Sequence, residues 1–146
     1  MPFINVSSSS KSDDFDQPKI IYPNMTKYLP FVLDEARCLT NQKCFIVTGA
    51  KIAFLAAFLN SSLFKYCFRD NFPELQGGTR ELSKIFFDKI RVIEIDERGN
   101  AQFRDAVLDI QREYSREKAV ILDSMIFDLY GLSDEERKFI GFIEIE

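Results

Sequence analysis

The feature of this sequence that most constrains its fold is the apolar pattern of residues 51–68. Apolar side chains recur there every three or four positions over a broad face, which is typical of helices buried on one side. Asn60 and Ser61 interrupt the pattern, so we expect two consecutive core helices that break at this point. The apolar positions are Ile52, Phe54, Leu55, Phe58, Leu59, Leu63, Phe64, Cys67 and Phe68.

Short β-prone runs precede these helices. Residues 19–22 and 44–47 each predict a strand, and residues 28–33 predict a third. Pro30 cannot donate a backbone hydrogen bond, so the third strand is expected at the edge of a sheet.

The segment after the two helices is richer in turn residues. Residues 71–79 contain Pro73, Gly77 and Gly78 and predict a loop. The next segments predict a short helix, a strand and a turn, at residues 81–89, 90–95 and 96–100 respectively.

The C-terminal part of the chain carries an amphipathic pattern. From Phe103 to Leu129, apolar residues recur at helical spacing among charged ones, which predicts one long helix or a helical hairpin. Gly131 suits the position after a helix end, and Ser133 with Glu136 forms a capping-box signature for a further short helix.

We expect a mixed α+β fold. The 146 residues can bury one continuous core, made of a small strand-and-helix globule at residues 19–96. A C-terminal amphipathic helical region is expected at residues 97–146. Residues 1–18 are polar and rich in serine, so we expect a linker there.

The composition excludes several kinds of active site. The chain has no histidine, which removes the usual zinc clusters and the catalytic triads that rely on imidazole. Asp34 with Glu35, and Glu81 with Lys84, are fragments of a nuclease metal site, but their local sequence explains each pair without a metal. A methyltransferase cofactor loop within a βαβ unit is also missing. We therefore expect no catalytic residue, no metal site and no cofactor.

The cysteines and the hydropathy indicate the cellular compartment. Cys38, Cys44 and Cys67 are irregularly spaced, which favours reduced, buried thiols over a disulfide framework. No apolar run is long enough to span a bilayer, and the first residues do not resemble a signal peptide. We expect a cytoplasmic protein with no membrane partner.

The charge is unevenly distributed. The whole chain carries −4, but residues 17–91 hold eleven Lys and Arg against six Asp and Glu, a net charge of +5. Residues 92–146 hold seven basic and fourteen acidic residues, a net charge of −7. A basic segment of this kind is typical of a surface that contacts nucleic-acid phosphates.

Basic and aromatic residues interleave through that segment, and the loop with Gly77 and Gly78 leads into further polar and basic residues. Two glycines allow the backbone to approach a ligand closely. Each basic residue alone is also explained as a solvated surface charge, and the loop as a plain turn. Lys65 is expected to contact a phosphate. The predicted DNA-binding residues are Lys19, Tyr22, Lys27, Lys51, Arg69, Gly77, Gly78, Thr79, Arg80 and Lys84.

The order of five short segments resembles the TaqI-like C-terminal specificity domain. They are Lys-Ile-Ile-Tyr-Pro at residues 19–23, Cys-Phe-Ile-Val-Thr-Gly at 44–49, the apolar helix at 55–64, the glycine loop with its helix at 77–90, and Ile-Phe-Asp-Leu-Tyr-Gly at 126–131. The resemblance covers residues 19–138.

This resemblance implies sequence-specific recognition of double-stranded DNA by a non-catalytic part of a type II restriction-modification enzyme. The methyltransferase and nuclease domains of the same polypeptide would be its partners, and the methyltransferase would act on adenine. The basic globule would face DNA, with Arg80, Thr79 and Lys51 reaching base edges. The acidic helices would form a spacer that packs on the globule or on the parent enzyme.

A second hypothesis is a protein-interaction or dimerisation module. In that case the long C-terminal helix pairs with a partner or with a second copy of the chain. The two hypotheses differ in whether the isolated chain binds DNA in a salt-dependent way.

Overall fold

The computed structural model describes residues 6–8, 18–23, 25–26, 31–35, 44–47, 49–68, 80–81 and 91–142. The first half contains short strands and two core helices, and the second half is mainly helical, which confirms the mixed α+β class. The strands are β1 (Val6–Ser8), β2 (Lys19–Pro23), β3 (Met25–Thr26), β4 (Val32–Asp34), β5 (Cys44–Val47) and β6 (Arg80–Glu81). The helices are α1 (Ile52–Asn60), α2 (Ser62–Phe68), α3 (Glu97–Arg112), α4 (Arg116–Leu129) and α5 (Asp134–Ile140).

Four of the described strands form an antiparallel sheet in the order β1, β5, β2, β4. The predicted strands at β2 and β5 are confirmed. β4 lies at the sheet edge, as expected for the segment after Pro30, although residues 27–30 lie outside the described part of the chain. Its outer position leaves one row of backbone groups to be satisfied by something other than a strand.

The strand β1 differs from the expected linker at residues 1–18. Val6 pairs with Val47 and Ser8 with Phe45, both in β5. The pairing is made by backbone groups, which even a serine-rich segment can supply. Low hydrophobicity therefore did not prevent this part of the sequence from joining the sheet.

The helices α1 and α2 break where the sequence predicted. Ser61 is extended (φ −73°, ψ 156°), and its hydroxyl accepts a hydrogen bond from the Phe64 N–H at 3.1 Å. The same hydroxyl donates to the carbonyl of Phe58 at 2.6 Å. One side chain thus satisfies backbone groups at the end of one helix and the start of the next.

A single hydrophobic cluster joins both halves of the described chain. The Phe54 ring on α1 lies 5.2 Å, centroid to centroid, from the Phe103 ring on α3. Phe58 contacts Phe64 at 5.5 Å and stacks on Tyr130 at 5.8 Å. The helices after residue 96 therefore pack on the globule and share its core.

The segment before α3 differs from the prediction. Arg91 forms an isolated bridge, and residues 92–96 have no regular structure, so the strand predicted at 90–95 is wrong there. The turn predicted at 96–100 is also wrong, because Asp96 caps α3 by accepting from the Gly99 N–H at 2.7 Å. Glu81 is in β6 and not at a helix start, whereas residues 82–90 lie outside the described chain.

The C-terminal region contains separate helices, as in the hairpin alternative to one long helix. Ser115 caps α4 through the Lys118 N–H, at 3.2 Å. Gly131 (φ 66°) follows the end of α4, and the Leu132 N–H returns to the carbonyl of Phe127, which is the Schellman arrangement. The predicted capping box of Ser133 and Glu136 is confirmed at the start of α5.

Candidate nucleic-acid interface

The two-stranded sheet of β3 and β6 joins two segments that the sequence analysis assigned to DNA binding. Thr26 lies opposite Arg80 and Met25 opposite Glu81, in antiparallel register. Residues opposite each other in such a pair have Cα atoms about 5 Å apart. β3, which follows the strand that contains the predicted contact Tyr22, is thereby held next to Arg80, the residue that follows Gly77, Gly78 and Thr79 in the sequence.

The structure places the other predicted DNA-binding residues unevenly. Tyr22 lies in β2 and Arg80 in β6, and their side chains are not among those described. The side chains of Lys19 and Lys51 are described, one buried and one partly exposed. The predicted residues that lie outside the described chain are Lys27, Arg69, Gly77, Gly78, Thr79 and Lys84.

Lys19 is inside the protein. Its side chain has no exposed surface, and its ammonium group lies 2.7 Å from the Asp34 carboxylate on the adjacent strand. A buried cation paired in this way is part of the packing between β2 and β4. Its placement does not favour the phosphate contact predicted for Lys19, which we leave out of the proposed interface.

Lys51 lies at the junction of α1 and α3. It occupies the N-cap of α1 in the left-handed conformation (φ 56°, ψ 39°), and its ammonium group pairs with the carboxylate of Glu97. Both side chains keep solvent access, and Glu97 is 82% exposed. Because exposed ion pairs contribute little free energy, a phosphate could replace Glu97 as the partner of Lys51.

Lys65 was expected to contact a phosphate, and its position argues against this. It is 6% exposed, and its ammonium group donates to the carbonyl of Asn60 at 3.2 Å. The side chain lies along the buried side of α2 and stabilises the end of α1. Lys65 is therefore also left out of the proposed interface.

The acidic pair Asp34 and Glu35 is engaged with cations of the protein. Asp34 pairs with Lys19, and Glu35 accepts two hydrogen bonds from the guanidinium of Arg104, at 2.5 and 2.7 Å. These bonds to Glu35 raise the pKa of Arg104. Within the described ranges, no three potential ligands cluster as a metal site would require.

Two side-chain amides that the sequence analysis did not single out for a role close the outer edge of β4. Asn60 on α1 exchanges two hydrogen bonds with the backbone of Phe31, at 3.0 and 2.6 Å. Gln111 on α3 does the same with Leu33, at 2.8 and 2.9 Å. The interruption of the apolar pattern at Asn60 was a signal for the first, but nothing in the sequence around Gln111 distinguishes it.

A buried carboxylate was also missed. Asp123 lies on α4 and is 5% exposed, and one of its oxygens accepts from the N–H of Ser62 at 2.8 Å. Burial raises the pKa of Asp123, against the lowering effects of the Ser62 hydrogen bonds and the charge of Lys65. Its place in the amphipathic pattern, among charged residues, did not indicate burial.

The expected burial of the cysteines is wrong for Cys67. It is exposed and in the free thiol form, at the end of α2. Neighbouring groups still desolvate the sulfur enough to raise the pKa of its thiol, so it has no activated thiolate. Cys38 lies outside the described chain, as does the side chain of Cys44.

None of the described helices has the length and apolar character needed to cross a membrane.

Comparison with known proteins identifies a family for most of this fold. The model of the TaqI-like C-terminal specificity domain matches residues 3–92. The matched range includes β1 through β6 and both core helices, and it ends just before the segment that leads into α3. It starts earlier and ends earlier than the resemblance drawn from the sequence, which ran over residues 19–138. No curated protein matches the chain.

Proposed function

We propose, because this chain belongs to the family of TaqI-like C-terminal specificity domains, that it positions catalytic domains of a type II enzyme on their DNA target. Membership of this family gives it a DNA sequence-specificity role in restriction-modification enzymes. The domains would be an adenine-specific methyltransferase and a nuclease of the same polypeptide. Specificity domains of this family are generally non-catalytic, so the chemistry would be performed by those other parts.

One observation supports a particular DNA-contacting region. The pairing of Thr26 with Arg80 unites two segments separated by 54 positions in the sequence. Both segments lie in the basic part of the chain, and Gly77 and Gly78 precede β6 by three and two positions in the sequence. A recognition surface needs such convergence, because base edges within one groove are read by a few side chains close together.

We assign different roles to the residues of this region. Arg80 would contact a base edge, since an arginine guanidinium can bond two acceptors of a guanine at once. Thr79 would support the same contact. The residues that would hold the phosphate backbone and fix the register on the duplex are Tyr22, Lys27, Lys51, Arg69 and Lys84, with Gly77 and Gly78 allowing close approach. Lys51 is thus assigned to a phosphate and not to the base edge first expected, because a phosphate can replace its exposed partner Glu97.

The described helices α3, α4 and α5 would connect this globule to the rest of the enzyme. Their segment is acidic, which disfavours contact with DNA and suits a protein surface. In this proposal residues 97–146 form a spacer, and its inner side is the one that packs on α1 through Phe103. The outer side would be available to the parent polypeptide.

The dimerisation hypothesis receives less support. The apolar side of α3 that it would use is buried, since Phe103 and Val107 lie in the domain's own core, and exposed apolar side chains on the later described helices are confined to a few positions such as Ile121 and Phe139. We therefore do not propose a homodimer through these helices.

Selection from a pool of random DNA duplexes at low salt tests the proposal. The account predicts enrichment of one short sequence motif, because each correctly matched base pair contributes about 1–3 kcal/mol of discrimination. A pool that remains random, although the folded chain retains DNA, would contradict sequence reading by this domain.

A further inference from the structure

A cavity of about 260 Å³ lies between the globule and the helices that follow it. Its wall is formed by β4, by the break between α1 and α2, and by the facing sides of α3 and α4. It thus lies at the junction of the family-matched residues and the helical region. The exposed side chains of Val32 and Tyr114 are part of the lining, so the cavity opens to solvent beside them.

Most of the wall is apolar. Phe31, Ala57, Val107, Ile110 and Leu122 contribute to it. An apolar cavity of roughly 150 Å³ is large enough for a benzene molecule. This one can therefore hold an aromatic ring or a short hydrocarbon chain with a small substituent.

The polar side chains of the wall are engaged with the protein. Asn60 and Gln111 bond the backbone of β4. The Ser61 hydroxyl bonds backbone groups of α1 and α2. The Ser62 N–H donates to Asp123 Oδ1 at 2.8 Å. The side chains of Asn60, Gln111 and Ser61 thus already have protein partners.

Asp123 is the exception. Its Oδ1 accepts the hydrogen bond from the Ser62 N–H at 2.8 Å, but its Oδ2 is buried and has no hydrogen-bond donor among the described residues. The ammonium group of Lys65, whose charge lowers the pKa of Asp123, donates to the carbonyl of Asn60 at 3.2 Å. A buried carboxylate oxygen without a donor is costly, so it favours an occupant that supplies one.

We propose that this cavity binds a small organic amine, with its ammonium group donating to Asp123 Oδ2 and its hydrocarbon body against the apolar wall. A cation complements the carboxylate, whereas an organic anion would be repelled by it. Water would satisfy the oxygen but not the apolar remainder of the cavity, since a buried water needs two to four polar partners. The site does not depend on the DNA-binding role of the domain.

Titration of the chain with benzylamine, followed by ¹H–¹⁵N NMR, tests the site without using DNA. The central variant is Asp123→Asn, because an amide retains the acceptor for the Ser62 N–H and replaces the second oxygen with a donor. Toluene is the matched probe without the amine. A second variant, Ala119→Leu, narrows the cavity from a partly exposed position on α4.

The proposal predicts shifts at residues around the cavity and benzylamine affinity about tenfold higher for the wild type than for Asp123→Asn, since a charge-assisted hydrogen bond is lost. Toluene should bind both proteins alike, and Ala119→Leu should weaken both probes.

Equal benzylamine affinity in wild type and Asp123→Asn would overturn the proposal. The same holds if benzylamine causes no shifts in the wild type at about 10 mM, a concentration well above the millimolar affinity of a weak specific site. If Asp123→Asn fails to fold, unaltered benzylamine binding by Ala119→Leu would overturn it instead.

Discussion

The side-chain amide of Gln111 forms two hydrogen bonds with the backbone of Leu33, which lies 78 residues earlier in the chain. In an antiparallel sheet, alternate residues of an edge strand direct both backbone groups away from the neighbouring strand. Gln111 on α3 satisfies such a residue, and Asn60 on α1 satisfies Phe31 in the same way. Two helices thus close a sheet edge that would otherwise be open to pairing with another chain.

Replacement of Gln111 by alanine should destabilise the protein by about 1–2 kcal/mol, because a partly buried N–H and carbonyl lose their partners. Urea unfolding would measure the loss. Gln102→Ala is the matched control, since Gln102 is an exposed glutamine on the same helix. Similar losses in the two variants would show that the bonds to Leu33 contribute nothing specific.

Lys19 should affect stability and not DNA recognition directly. Lys19→Met leaves Asp34 without its buried cation, and we expect a loss of about 3 kcal/mol in the free energy of unfolding. The double variant Lys19→Met with Asp34→Leu should recover part of that loss, because an apolar pair replaces a buried carboxylate that has lost its cation. A double variant no more stable than the single one would count against this role of the pair.

Local elements of the fold followed from the sequence, whereas pairings between distant segments did not. The break at Asn60, the Gly131 turn and the Ser133 capping box are determined by contacts within a few residues, so the sequence alone predicted them. The burial of Lys19 depends on Asp34 in another strand, and the strand at Arg80 depends on pairing with Thr26. Such distant pairings leave no local pattern, and a lysine by itself is more often a surface residue.

The start of α3 also depends on a contact with a distant residue. Asp, Gly and Asn at residues 96–100 suit a turn, but Asp and Asn also cap helices. Asp96 caps α3, and the Asn100 side chain accepts from the Phe54 N–H at 3.0 Å. This contact with α1 is made with residues 97–100 in the helix, and no local pattern in the sequence encodes it. For the DNA-binding residues, the sequence indicated a basic segment. It could not distinguish lysines buried in the protein, such as Lys19 and Lys65, from those available to DNA.

The stability of the protein should depend on pH through Asp123. Burial raises the pKa of this carboxyl in the folded state, so the folded chain binds the proton more tightly than the unfolded chain. The resulting stabilisation is present at low pH and is lost as pH rises from about 4, the ordinary value, through the raised pKa.

Comparison of Asp123→Asn with the wild type isolates this effect. The variant cannot ionise at this position, so its unfolding free energy relative to the wild type should increase with pH over that window. Asp105→Asn, at an exposed position on α3, controls for removal of one negative charge. A difference between Asp123→Asn and wild type that stays constant with pH would refute the prediction.

Glu97 should limit the DNA affinity of the chain. Glu97→Gln removes the carboxylate that pairs with Lys51, which leaves the lysine available to a phosphate. We expect about two- to fivefold tighter binding at low salt, in line with the small free energy of an exposed ion pair. Glu117→Gln removes the same charge from the first turn of α4 and should have a smaller effect. Equal effects would exclude a specific role for Lys51.

The most direct test of sequence reading by this domain compares fluorescence anisotropy on the selected duplex and on a shuffled duplex, across a salt series. The wild type should prefer the selected duplex, and its affinity should fall as salt rises. Arg80→Ala should lose about 1–3 kcal/mol on the selected duplex alone, whereas Lys138→Ala, in α5, should change neither. If Arg80→Ala weakened both duplexes equally, or if the wild type did not distinguish them, the recognition role proposed for this region would be contradicted.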